Sequence, residues 1–256
     1  MAKNTEFLQK NRKIIYIYGY HSVKAALENN NRKKKRLILS QNSAAVYYEQ
    51  FKKKIKQIEV IPKKIFDKKY INAENNQGMI LEAYNFPKKT INDILKNINE
   101  IKNIVLIILD QVNDPQNIGS IMRSAALFNC PAIILSEANS PEMNSTIIKT
   151  ASGGAETVDL IKVPNIARCI DQLKENNFWI VGLDSESVNT INKLDMPKKC
   201  VFVLGSEKSG LRKLSKKKCD FIVSINSKKD KIYGIDSLNV SNAASIALYE
   251  YNKTRN

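Results

Sequence analysis

The apolar positions follow two different patterns, and the change between them divides the chain. In the first third the apolar runs are short and interrupted by polar residues. Ile14–Tyr18 reads as a strand from its β-branched and aromatic content, ended by Gly19. Residues 21–29 follow as a short helix with Val23, Ala26 and Leu27 on one face. Residues 36–40 give a second strand, and 47–58 a helix exposing Lys52, Lys53, Lys54 and Lys56. Residues 60–61 give a third strand, 63–69 a short helix and 79–83 a fourth strand. Together, residues 14–84 form a small alternating α/β unit behind a basic arm, 1–13, expected to be flexible.

Residues 85–101 contain Pro87 and lysines with only a polar amphipathic turn or two, the composition of a linker. Beyond it the pattern changes. Residues 104–109 are continuously apolar, which fits a strand buried on both faces of a parallel sheet. Further strands are expected at 131–135, 158–163, 179–183, 200–204 and 221–225, with helices at 118–129, 145–150 and 165–176. Residues 151–155 are a small-residue turn, and 236–251 a final helix rich in small residues that admit another backbone closely. Strands alternating with helices over 102–256 imply a mainly parallel α/β sheet, with ligands at the carboxyl ends of its strands.

Charge adds a partner to this picture. The 256 residues carry a formal net charge of +16. Residues 1–88 hold 19 lysines and arginines against 7 acidic residues, and the remainder 22 against 18. A lysine-rich composition alone would spread the surplus evenly. Its concentration in the first unit points to RNA, whose phosphates lysines contact without reading sequence.

Cysteine and histidine exclude other classes. Cys130, Cys169, Cys200 and Cys219 form no C-x-x-C pair, and the single histidine, His21, rules out a multi-histidine metal site. No metal is expected, and the thiols read as reduced, in a cytoplasmic protein. No apolar run approaches the roughly 18 residues of a membrane span, and the N-terminus lacks a secretory apolar core.

Three loops carry candidate chemistry. The first, 110–123, leaves the first buried strand and enters a helix. Gly119, Ser120 and Arg123 share one face there, so two small residues and a fork of donors could receive a bulky anionic ligand, with Asn117 at the entrance. The same residues also fit an Asx turn, an N-cap and a solvated arginine. The second, 203–212, ends a buried strand in a glycine loop. Gly205 to Gly210 has P-loop spacing, but Leu211-Arg212 replaces the phosphate lysine and magnesium hydroxyl, which disfavours a nucleotide hydrolase. The third is Ser237-Leu238-Asn239-Val240-Ser241, with Ser237 as a helix cap.

Asp114-Pro115-Gln116-Asn117-Ile118-Gly119 with Arg123, Leu204-Gly205-Ser206-Glu207 with Gly210-Leu211, Ser152-Gly153-Gly154-Ala155 and Ser237-Leu238-Asn239-Val240-Ser241, in this order, resemble the SpoU/TrmH family of RNA ribose 2′-O-methyltransferases. The resemblance covers roughly residues 103–253. It implies a SPOUT-type parallel sheet whose C-terminal chain threads a trefoil knot, a homodimer, and S-adenosyl-L-methionine as cofactor. It implies that Gly205, Ile225 and Leu238 contact the cofactor, and that Asn117, Arg123, Glu207, Ser237 and Asn239 line the reacting site. Residues 18–27 and 76–79 resemble the small ribosomal-protein-like substrate-binding domain carried by one branch of the family. That branch methylates a guanosine ribose in large-subunit ribosomal RNA (23S type). The competing expectations are a tRNA ribose 2′-O-methyltransferase and a non-catalytic RNA-binding ribosome assembly factor. Two departures stand out: Lys208 replaces a usual glycine, and the loop from Ile225 to Ser237 is lengthened and lacks the proline expected after the last strand.

Overall fold

The structure, a computed structural model, describes residues 13–70, 76–98, 100–207, 209–226, 237–253 and 255. Residues 1–12 of the basic arm, Lys208 and residues 227–236 of the lengthened loop lie outside the described residues.

In chain order the elements are β1 (Ile14–Tyr18), α1 (Tyr20–Glu28), β2 (Lys34–Ser40), α2 (Gln41–Phe51), β3 (Ile58–Ile61), α3 (Lys63–Lys69) and β4 (Met79–Tyr84). They continue with α4 (Ile91–Ile98), β5 (Ile104–Asp110), α5 (Pro115–Leu127), β6 (Ala132–Ser136), α6 (Ser145–Ala151), β7 (Asp159–Val163) and α7 (Ile166–Glu175). The last are β8 (Trp179–Leu183), β9 (Lys199–Gly205), α8 (Lys213–Lys218), β10 (Phe221–Val223) and α9 (Val240–Lys253). The chain divides into two compact units: Met1–Lys88 with Met143–Glu156, and Lys89–Glu142 with Thr157–Asn256.

The first unit is a mixed sheet in the order β1-β4-β2-β3, with only β2 and β3 parallel. Helix α2 starts at Gln41 rather than at residue 47. Ser40, the last residue of β2, caps it by accepting from the Ser43 N–H at 3.3 Å. The helix ends at buried Phe51, so the lysines expected on its face lie in the turn after it.

Segment 143–156 belongs to this unit: α6 packs on β1, the Ser145 hydroxyl donates to the Tyr16 carbonyl at 2.8 Å, and the segment ends at Glu156. Its carboxylate pairs with Arg32 at 2.6 Å, and the two side chains are 5 % and 2 % exposed. Arg32 also donates to the Tyr84 carbonyl at 3.1 Å and lies 3.7 Å over the Phe86 ring. Asn29 donates to Glu156 at 2.9 Å. Removing one partner of such a pair strands a buried charge, at a cost of about 3–5 kcal/mol. Elsewhere in the unit, Arg36 grips buried Glu82 with two bonds of 2.8 and 2.9 Å, which holds the Glu82 carboxyl below its usual range.

The second unit is a six-stranded parallel sheet in the order β10-β8-β9-β5-β6-β7. All seven residues of β5 are buried: the six apolar ones, 104–109, as their unbroken run requires, and Asp110 at its end. One face packs against α4 and α7, through Ile94, Ile98, Ile170 and Leu173 among others. The stretch 85–101, read as a linker, therefore contains a helix whose Ile91, Ile94, Leu95 and Ile98 are buried in the core. Their spacing makes a complete stripe.

Helix α9 packs on α5 and β9. Ser124 of α5 and Ser245 of α9 meet at 2.7 Å, a close approach that small side chains permit. The helix begins at Val240, and its cap is Asn239 rather than Ser237. The Asn239 side chain accepts from the Ser241 N–H at 2.9 Å, and its carbonyl accepts from the Ala243 N–H at 3.0 Å. Among the described residues no helix is long and apolar enough to cross a membrane, and no group of three metal-ligating side chains occurs.

Candidate active site

The register of the sheet decides which loops meet. Asp110 pairs with Gly205, and Leu204 with Leu183, so β5, β9 and β8 end together. The loops that follow them form one rim, where open α/β sheets hold their ligands.

The loop after β5 reaches α5 through Asp114. Its carboxylate accepts from the N–H groups of Gln116 at 3.1 Å and Asn117 at 3.2 Å, and Pro115 occupies the first helical turn. This cap fixes Asn117 at the helix entrance. The loop after β9 turns back on itself: the Gly210 N–H donates to the Ser206 carbonyl at 2.8 Å. The turn leaves no room at Gly205, where an added Cβ would stand 2.0 Å from the Gly210 carbonyl carbon and 2.4 Å from the Leu211 nitrogen. Gly210 supplies the left-handed conformation the turn needs, with φ 62°.

Asn117, Glu207 and Asn239, from three loops, form one hydrogen-bonded cluster. Asn239 Nδ2 donates to Glu207 Oε1 at 2.7 Å and to Asn117 Oδ1 at 3.0 Å. Asn117 Nδ2 and the Val240 N–H reach the same Glu207 oxygen at 3.4 Å. The Asn239 amide has only one sensible orientation. Its oxygen takes the Ser241 N–H and the Ser241 hydroxyl, the latter at 2.6 Å, so its NH2 must face the carboxylate. The α9 cap thus aims the cluster. Arg123 lies further along α5, exposed, with no hydrogen-bond or ion-pair partner among the described residues.

A cavity of about 520 Å³ borders this cluster. Gly205, Ile225 and Leu238 line it, as do Glu207 and Ser237, whereas Asn117, Arg123 and Asn239 do not. The expected cofactor residues are therefore brought together. The expected reacting residues divide between the cavity wall, the amide cluster and the exposed arginine. Its volume is in the range of small-molecule sites, and its wall mixes apolar Leu183, Leu204 and Leu238 with polar loop groups. The close approach at Gly205 lets the loop fold back on itself and so sets one wall of the cavity. These features fit a nucleoside cofactor.

Asp184, Ser185, Glu186, Lys213 and Lys216 also line the cavity, and sequence reasoning missed them. Asp184 shapes their loop: its carboxylate accepts from the Glu186 N–H at 2.9 Å and pairs with Lys216. They belong to the site because β8 lies beside β9, a neighbourhood no local pattern encodes. Helix α8, which carries Lys213 and Lys216, had no apolar stripe to signal it. The four thiols take no part; burial pushes Cys130, Cys169 and Cys219 up to about 12, so they stay protonated.

Comparison with known proteins agrees with this geometry. Residues 104–249 match the model of the SpoU rRNA Methylase family, and residues 16–88 match the RNA 2'-O ribose methyltransferase substrate binding model. The chain is 32 % identical over 248 residues to the 23S rRNA (guanosine-2'-O-)-methyltransferase RlmB of Coxiella burnetii, covering 95 % of this chain and 97 % of that protein. It is 30 % identical over 243 residues to the RlmB of Yersinia pestis, covering 93 % and 97 %. Among solved structures it resembles the SpoU methyltransferase AviRb from Streptomyces viridochromogenes in complex with AdoMet (TM-score 0.78, 18 % identity, 94 % of this chain and 90 % of that one). It also resembles an AdoMet-bound rRNA methyltransferase from Sinorhizobium meliloti (TM-score 0.77, 19 % identity, 98 % and 91 %). At those identities the structural likeness is one of fold. Both domain models and near-full-length relatives agree, and the chain belongs to the SpoU rRNA methylase family.

Proposed function

We infer that this protein is an S-adenosylmethionine-dependent RNA ribose 2′-O-methyltransferase whose substrate is a guanosine of large-subunit ribosomal RNA. The observation that carries this reading is the Asn117–Glu207–Asn239 cluster, set where three strand ends meet and bordering a cavity whose wall includes Glu207. Family membership and near-full-length likeness to guanosine-2'-O-methyltransferases supply the substrate.

Gly205, Ile225 and Leu238 would hold the cofactor. When bound, S-adenosylmethionine supplies a methyl group already activated on a positively charged sulfur, so the protein's task is mainly to position a ribose hydroxyl in line with it. Asn117 and Asn239 present a fixed amide pair that orients that hydroxyl, and Glu207 locks the pair. Ser237 stands on the cavity wall beside them. Arg123 presents unpaired donors to a phosphate or to the developing alkoxide. A guanidinium with a pKa above about 12 is a donor here and not a base. The surplus lysines of the basic first unit supply phosphate contacts that do not read sequence.

Two further features belong to this reading. The C-terminal chain is proposed to thread a knot, supported by the insertion of β9 between β8 and β5 and by the packing of α9 on α5 and β9. A homodimer is proposed through the α5–α9 face, where Leu127 is 75 % and Tyr249 54 % exposed. Asn252, one turn beyond Tyr249, bonds to the Phe128 carbonyl beside Leu127.

Calorimetric titration of the full chain with S-adenosylmethionine tests the function. Saturable one-site binding is expected. A folded protein that binds none would be a non-catalytic RNA-binding protein, and the enzyme reading would fail.

A further inference from the structure

A second, smaller cavity of about 130 Å³ opens on the same strand-end rim, away from the residues assigned to the cofactor. Its wall includes Ser136 at the end of β6, Asn165 and Ala167 at the start of α7, and Arg212, Leu214 and Ser215 at the start of α8. No carboxylate lines it among the described residues. It is large enough to admit a tetrahedral anion.

Arg212 is unusual in how it is held. Its Nε lies 2.6 Å from Oδ1 of Asp110, a residue wholly buried at the end of β5, while its own side chain is 44 % exposed. The Arg212 N–H also points at the other Asp110 oxygen, at 3.4 Å. The contact is an ion pair and not a hydrogen bond, since Oδ1 of Asp110 has no hydrogen-bond partner among the described residues, and the half-exposed guanidinium keeps its donors for phosphate oxygens.

Two other donors meet it. Ser215 is 2 % exposed and lines the cavity, and its hydroxyl makes no hydrogen bond with any described residue. An unpaired hydroxyl on a cavity wall is available to donate to a ligand there. Helix α7, ten residues long, begins on the cavity wall, and its side-chain cap, Asn165, takes the Arg168 N–H. The first-turn N–H groups of Ile166 and Ala167 are left for an anion.

We propose that this cavity is a phosphodiester subsite for the substrate RNA, with Arg212 as its cationic donor, Ser215 as its buried hydroxyl donor and Asp110 as the residue that holds Arg212 at the cavity by charge. This rests on the reading of RNA as substrate. The placement suits that role, because Gly210 and Leu211, immediately before Arg212, line the cofactor cavity. One loop would thus face the cofactor with one side and the RNA backbone with the other.

The test measures binding of the full chain to a large-subunit ribosomal RNA transcript over a salt series, without cofactor or turnover. Each phosphate contact contributes a slope of roughly 0.7–0.9 to log K against log salt. Arg212→Met is expected to weaken RNA binding several-fold at low salt and to lower the slope by about one contact. Ser215→Ala is expected to weaken binding about two- to five-fold with unaltered thermal stability. Ser215→Ala should leave S-adenosylmethionine affinity unchanged; Arg212→Met strands buried Asp110 beside Gly205, so its RNA binding is read against its own cofactor affinity and thermal stability.

Unchanged RNA binding and slope in both variants would overturn the proposal. If Arg212→Met lost cofactor affinity while the RNA slope stayed at the wild-type value, the arginine would be only a clasp on the cofactor loop. A parallel titration with inorganic phosphate separates the remaining source: saturation by phosphate, with no effect of either variant on RNA, would make this a free-anion site and overturn the RNA assignment. Failure of the wild type to transfer a methyl group would count against the proposed function and leave this binding result standing.

Discussion

Replacing Gly205 by alanine is expected to abolish S-adenosylmethionine binding and to destabilise the protein by about 2–4 kcal/mol. The new methyl group would stand 2.0 Å from the Gly210 carbonyl carbon, 2.1 Å from its oxygen and 2.4 Å from the Leu211 nitrogen. These are backbone atoms, so no side-chain rotation relieves the contact. The loop must open, and opening it dismantles the cavity wall that Gly205, Gly210 and Leu211 share. Gly210→Ala is the informative contrast. Nothing lies within 4 Å of its added Cβ, and the cost comes only from φ 62°, about 1 kcal/mol. Calorimetry and thermal unfolding of the two variants read both quantities. Wild-type cofactor affinity in Gly205→Ala would show that this loop is not the cofactor's floor.

The second large effect is expected at Arg123. Arg123→Met should lower kcat/KM by about 10²–10³-fold, the range for loss of a charged group that stabilises developing negative charge. Cofactor affinity and melting temperature should stay at wild-type values, because Arg123 is exposed and bonds to no described residue. Arg123→Lys should recover only part of the loss, since a point charge does not replace the fork. Methyl transfer to a ribosomal RNA transcript, measured against RNA concentration, decides the matter. An effect confined to KM would make Arg123 a binding residue without a role in the reacting step.

The parallel domain was legible in the sequence because its strands are so fully apolar. Residues 104–109 have no polar side to present, and the structure places them in the middle of the sheet, buried throughout. Element boundaries were less legible where lysine runs obscured them. The expected helix at 47–58 took its exposed face from Lys52–Lys56, whereas the structure starts the helix at the Ser40 cap and ends it at Phe51. Helix α4 was hidden by its flanks: Pro87 and the neighbouring lysines suggested a linker, while Ile91, Ile94, Leu95 and Ile98 were making a core stripe.

The site was legible in its motifs and not in its surroundings. Asn117, Glu207 and Asn239 sit in recognisable loops, and the structure brings them within hydrogen-bond reach of one another. The loop 184–186 contributes to the cavity only because β8 pairs with β9, and strand order is a long-range property. The Arg32–Glu156 pair is invisible for the same reason. It joins residues far apart in the chain within the first unit, to which segment 143–156 belongs although the SpoU family model spans that segment.

Methylation of a large-subunit ribosomal RNA ribose by this chain has a direct readout in cells. Mapping of 2′-O-methylated riboses across ribosomal and transfer RNA, in cells with and without the gene and in cells carrying Arg123→Met, tests it most directly. The expected result is one guanosine of the large-subunit ribosomal RNA that loses its methyl group in the deletion and in the variant, and regains it on complementation. Identical maps in all strains, or a loss confined to transfer RNA, would contradict the account.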